Sequence, residues 1–139
     1  MVSLITGEKG KGKTRILIDT ANEKVKEAKG CVVYLDHSMR HMYELNNKIR
    51  LICTKDFPIA TADEMLGFVM GIISQNRDIE QMYIDGLLKI PGIEKEDVAP
   101  VCHKIMKICD EYSIDMTVTL SVDKADLDAD LQALVNTAL

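Results

Sequence analysis

Near the start of the chain, Gly7-Glu8-Lys9-Gly10-Lys11-Gly12-Lys13-Thr14 sets glycines, lysines and a hydroxyl at a spacing suited to holding phosphate. In the pattern G-x-x-x-x-G-K-S/T, the glycines let backbone N–H groups turn inward around phosphate oxygens. The helix that follows adds the positive end of its dipole. Gly7, Gly12, Lys13 and Thr14 fill the pattern, and Gly10 gives the loop further backbone freedom. Lys13 is placed to neutralise the outer phosphates of a nucleotide, and the Thr14 hydroxyl to ligate magnesium. Glu8, Lys9 and Lys11 lie within the loop and Arg15 follows it, so the expected ligands are ATP, or a related nucleotide, and Mg2+. The two extra lysines add positive charge there, although solvation accounts for exposed lysines equally well.

Other chemistry-bearing residues are scattered. His37 and His41 are four apart, the spacing of a helical zinc pair, but Ser38 stands where H-E-x-x-H has glutamate. They read as solvated histidines near the nucleotide. Arg40 between them suits phosphate or partner contact, because a guanidinium bridges two oxygens. His103 reads as solvent-facing. Cys31, Cys53, Cys102 and Cys109 sit among apolar neighbours with no C-x-x-C pair, the pattern of buried free thiols.

The loop needs a strand before it and a helix after it. Val2–Thr6 is apolar and partly β-branched, and residues 15–29 carry helix formers with Gly30 as a stop. Residues 31–35 form an apolar run suited to a strand covered on both faces, followed by the polar Asp36, His37 and Ser38 and a short helix. Residues 48–53 read as a third strand, and 79–85 as a fourth that ends in Asp85. Residues 115–122 alternate, with Met116, Val118, Leu120 and Val122 on one face. Between these, Thr61 and Glu64 match a capping box for a helix running to about Gln75. Its apolar residues cover nearly the whole circumference, and Gly67 and Gly71 share one face, open to close packing on the sheet or to a subunit contact. A further helix is expected over 94–112, with Pro100 in its first turn or at a kink, and a last one over 126–138. Strands alternating with helices predict one α/β domain over residues 1–139. It is a three-layer sandwich around a mostly parallel, five-stranded sheet, with ligands at the carboxyl ends of the strands.

The loop and this alternation resemble the P-loop NTPase superfamily. The eight-residue motif is specific, and the architecture spans the chain. The resemblance implies that a second strand ends in an acid holding the magnesium shell, and Met82-Tyr83-Ile84-Asp85 is similar to that element. Many hydrolytic members place a glutamate directly afterwards to activate water, whereas this chain has Gly86. RecA-like members draw the base from the end of a neighbouring strand, and Cys31–His37 resembles that segment, which implies that Asp36 could orient water. Ser121 resembles the polar sensor of the terminal phosphate; its hydroxyl could equally bond its own turn. The catalytic set implied is Lys13, Asp36 and Asp85, with Thr14 and Asp85 on the metal. Short proteins with this core are often labelled as twitching-motility ATPase relatives. The additional domain and the arginine and histidine motifs of those motors have no counterpart here.

Composition bounds the rest. The chain has 139 residues, 47% of them hydrophobic, enough for one compact core. A formal charge of −5 gives no global attraction to nucleic acid or anionic lipid. The most apolar helical window, residues 65–73, falls well short of the roughly 20 residues of a membrane span. With the loop starting at residue 7 there is no space ahead of it for a signal segment, so a cytoplasmic location is expected. The function expected is a slow Mg-dependent ATPase whose nucleotide state is read by a partner protein or another copy of the chain. A small-molecule kinase is the alternative, although only four arginines are present for a lid and the zinc-binding cysteine pairs of thymidine kinases are missing. A nucleotide-binding switch without turnover is the third reading. The absence of a guanine-reading N/T-K-x-D segment favours ATP.

Overall fold

The computed structural model describes residues 1–139. The protein is α/β, with a six-stranded, all-parallel sheet in the order β3-β2-β4-β5-β1-β6. The strands are β1 (Val2–Thr6), β2 (Cys31–Asp36), β3 (Ile49–Cys53), β4 (Ile79–Ile84), β5 (Asp115–Leu120) and β6 (Val135–Ala138). The helices are α1 (Lys13–Lys24), α2 (Ala62–Gln75), α3 (Val98–Tyr112) and the single turn α4 (Ala129–Gln132).

Two apolar layers flank the sheet, which is why its central strands carry apolar residues on both faces. On one side, α1 contributes Leu17, Ile18 and Ala21 against Ile5, Val32, Tyr34 and Tyr83. On the other, α2 and α3 bury Met65, Val69, Ile73, Val101, Ile105 and Cys109 against Leu4, Leu35, Met82, Ile84 and Val118. The polar face of β5 is buried too, at Thr117 and Thr119. Cys53, Cys102 and Cys109 are buried free thiols, and Cys31 is half-buried.

Helix α2 starts as its cap dictates. Thr61 Oγ1 accepts from Glu64 N at 3.1 Å, and Glu64 Oε1 accepts from Ala60 N at 2.8 Å. Pro100 falls in the first turn of α3, where its missing N–H has no helical acceptor to lose. Helix α1 ends at Lys24, and a 3-10 turn carries the chain on to Glu27.

Two expectations fail. The sheet has six strands rather than five, because residues 126–138 are not one helix. A 3-10 turn at Lys124–Asp126 and α4 lead into β6, which pairs in parallel with the outer edge of β1. Val135, Asn136 and Thr137 are weak helix formers, while β1 offers an open edge. Leu4 N donates to Leu134 O and Leu139 N to Thr6 O, at 2.9 and 2.8 Å. The second failure concerns Gly67 and Gly71, which do not pack on the sheet. Both are exposed, with nothing within 4 Å of where a Cβ would lie. Met65, Leu66, Val69 and Ile73 form the buried stripe instead.

Candidate functional site

The carboxyl ends of β1, β5, β4 and β2 lie side by side, and each delivers part of one site. Beyond β1 the chain turns through the glycine loop, anchored where Gly7 N donates to Val122 O at 3.0 Å. Gly10 and Gly12 have φ of 86° and 92°, in the left-handed region where a side chain would be strained. Gly12 opens α1 directly, so the first N–H groups of the helix face the loop. The Lys13 side chain folds back and donates to Glu8 O at 3.0 Å. It is 8% exposed. Burial lowers its pKa from the usual lysine value; repulsion from Lys89 works the same way and Asp85 opposes it.

Asp85 follows β4 and is buried, and its carboxylate is held by three hydroxyls. Thr14 Oγ1 and Thr119 Oγ1 each donate to Oδ1 at 3.2 Å, and Tyr34 OH donates to Oδ2 at 2.9 Å. Thr119 also accepts from Gly86 N at 2.6 Å, so β5 fixes both the acid and the turn behind it. Burial, reinforced by the charge of Asp85, pushes the Tyr34 phenol well up, which keeps it a donor.

Asp36, at the end of β2, is 2% exposed. Its Oδ1 accepts from His37 N at 2.7 Å and faces His37 Nδ1 at 2.9 Å, while Oδ2 has no partner. Burial raises its pKa above the usual carboxylate range, and neighbouring Asp85 adds to the shift. The one other buried side-chain atom without a partner is Thr6 Oγ1, at the end of β1 just before the loop.

Two connected hollows occupy this end of the sheet. The smaller, about 290 Å³, is lined by Lys9, Gly10, Gly12, Lys13, Thr14, Asp85, Gly86, Lys89, Thr119 and Ser121. The larger, about 720 Å³, extends over β2 and adds Arg15, Asp36, His37, Ser38, Arg40 and His41. Lys9, Thr14, Asp85, Lys89 and Ser121 line both. The hard oxygens of Thr14 and Asp85, already within 3.2 Å of one another, are a donor pair that suits a magnesium ion.

The sequence-predicted residues Lys9, Gly10, Gly12, Lys13, Thr14, Arg15, Asp36, Asp85 and Ser121 thus meet around this space. Gly7, Glu8 and Lys11 do not line it; Gly7 and the Glu8 carbonyl shape the loop, and Lys11 is exposed. Arg15 points its guanidinium to Glu44 and Asp19 at 2.7 and 3.1 Å. His41 also faces Glu44, whereas His37 faces Asp36, so the two histidines serve different acids. His103 pairs with Asp130, far along the chain. Three contributors were missed by sequence reasoning: Tyr34, Thr119 and Lys89. Thr119 had a signal in the polar face of β5. Lys89 had one in its position three residues past Gly86, whereas Tyr34 looked like one more core aromatic.

Fold and site together define an α/β protein with a glycine-rich, lysine-bearing loop at the carboxyl ends of an all-parallel sheet. No protein-family model matches this sequence, and no curated protein is significantly similar to it. No helix is long and apolar enough to cross a membrane.

Proposed function

We propose that the protein binds ATP through residues 7–14 and hydrolyses it slowly in a magnesium-dependent reaction. The observation that carries this reading is the Thr14–Asp85 hydrogen bond at 3.2 Å beside the loop, which joins a hydroxyl and a carboxylate in the hollow that Lys13 lines. These two residues would hold Mg2+, whose charge offsets that of the phosphates. Backbone N–H groups of the loop and Lys13 bind and orient the phosphates. Asp36, which lines the larger hollow, orients the attacking water. A glycine follows Asp85 where a base would speed the reaction, which argues for slow turnover.

Strand order supports a RecA-like member of the P-loop NTPase superfamily, since β5 lies between β1 and β4. Direct pairing of β1 with β4 would have favoured the kinase and GTPase branch. A partner that reads the nucleotide state has a surface to use: the segment after Asp36 exposes Met39, Met42 and Tyr43, the last at 92%. The kinase alternative draws support from the larger hollow, which leaves space over Asp36 for a hydroxyl-bearing acceptor. Phosphate release from Mg-ATP separates the readings. The ATPase releases phosphate slowly without any acceptor, and the release falls on Asp36→Asn substitution. A kinase turns over only when an acceptor is added, and a switch shows no turnover.

A further inference from the structure

Lys89 has no place in the reading above, yet it borders both hollows. Its position follows from Gly86. That residue has φ of 75°, and a Cβ there would lie 2.6 Å from Lys89 Cδ and 3.0 Å from its Cγ. The chain then closes a 3-10 turn, Leu87–Lys89, in which Lys89 N donates to Gly86 O at 2.9 Å. Leu87 is fully buried and pins the turn, so the lysine stem lies back across the glycine. The space that a glutamate would occupy in many hydrolytic superfamily members is therefore taken by a cationic side chain.

The charge balance of the smaller hollow points to an anion. Lys9, Lys13 and Lys89 face it against the single carboxylate of Asp85. Lys89 forms no ion pair with any acid of the chain. Its repulsion of Lys13 is an unfavourable interaction that a phosphate between the two would reverse. Lys13 belongs to the loop, whereas Lys89 comes from the turn after β4 and lines the same hollow as the Thr14–Asp85 pair. A polyphosphate held by the loop and Lys13 would meet Lys89 with a group beyond those the loop itself binds.

We propose that Lys89 contacts the terminal phosphate of a bound nucleoside triphosphate and makes the site prefer triphosphate over diphosphate. The proposal rests on the nucleotide-binding reading. Isothermal titration of the full chain with Mg-ATPγS and Mg-ADP tests both separately. Lys89→Ala lowers triphosphate affinity about tenfold, the scale of one charge-assisted contact, and leaves diphosphate affinity within about twofold. Lys89→Arg keeps the preference. Gly86→Ala, whose methyl group displaces the lysine stem, shifts triphosphate affinity in the same direction as Lys89→Ala. Lys89 is exposed, so the circular-dichroism melt of Lys89→Ala stays that of the wild type. Equal losses for both nucleotides, or no loss for either, overturn the proposal while leaving nucleotide binding intact. If the wild type binds neither nucleotide, or Lys13→Ala binds both normally, the underlying reading falls instead.

Discussion

Replacing Tyr34 by phenylalanine removes one oxygen atom and nothing else from the buried polar network around Asp85. The ring keeps its stacking on Tyr83, with centroids 6.1 Å apart. The loss is the 2.9 Å hydrogen bond to Asp85 Oδ2. Thr14 and Thr119 both donate to Oδ1, so Oδ2 loses its one side-chain donor in a place that water reaches poorly. A hydrogen bond to a charged group is worth about 1.5–3 kcal/mol, and an uncompensated buried acceptor puts the cost toward the upper half of that range. For a chain of this size the melting temperature should fall by roughly 5–10 °C. Urea unfolding of wild type and Tyr34→Phe at pH 7, followed by circular dichroism, measures the difference. A combined Tyr34→Phe/Thr119→Val protein tests whether the donors act on one carboxylate: a coupling of about 0.5–3 kcal/mol is expected. A Tyr34→Phe protein within about 0.5 kcal/mol of wild type, with no coupling to Thr119, would refute the claim that this network holds Asp85 in place.

Asp36 yields a prediction in pH. Burial and then Asp85 raise its folded-state pKa, so above the ordinary carboxylate range the folded state holds its proton longer than the unfolded chain does. Its contribution to stability therefore declines as pH rises from about 4 through the raised value. Asp36→Asn should remove that decline, which urea midpoints at pH 5 and pH 8 would reveal; the same variant should slow phosphate release by about 10²-fold or more while still binding ATP. Gly71→Ala should stabilise the fold by about 0.5–1 kcal/mol in thermal melts, since the position is a helix interior with open space beyond it.

The parts legible in the sequence were those set by local chemistry. Consecutive β-branched and apolar residues such as Cys31–Leu35 announce a strand covered twice, and the glycine loop states its own backbone requirements. The same pattern puts Asp36 and Asp85 at strand ends, and the resemblance to the P-loop NTPase superfamily singled them out as site candidates. The residues missed owe their place to tertiary geometry. Val135–Ala138 becomes a strand because β1 has a free edge, a property of the finished sheet that no local window contains. Tyr34 is an ordinary core aromatic until β2 pairs with β4 and brings its hydroxyl to Asp85. Lys89 reaches the site only through the left-handed turn at Gly86. Helix α2 misled differently: glycines one turn apart permit a close backbone approach, but nothing in the chain approaches Gly67 or Gly71.

The central claim is that residues 7–14 hold the phosphates of a nucleotide with Lys13 at their centre. Equilibrium titration of wild type and Lys13→Ala with ATP, in magnesium and again in excess EDTA, tests it most directly. The expected result is saturable binding by wild type, weakened when magnesium is removed and lost, or reduced at least about tenfold, in Lys13→Ala. Unchanged ATP affinity in Lys13→Ala would contradict the account.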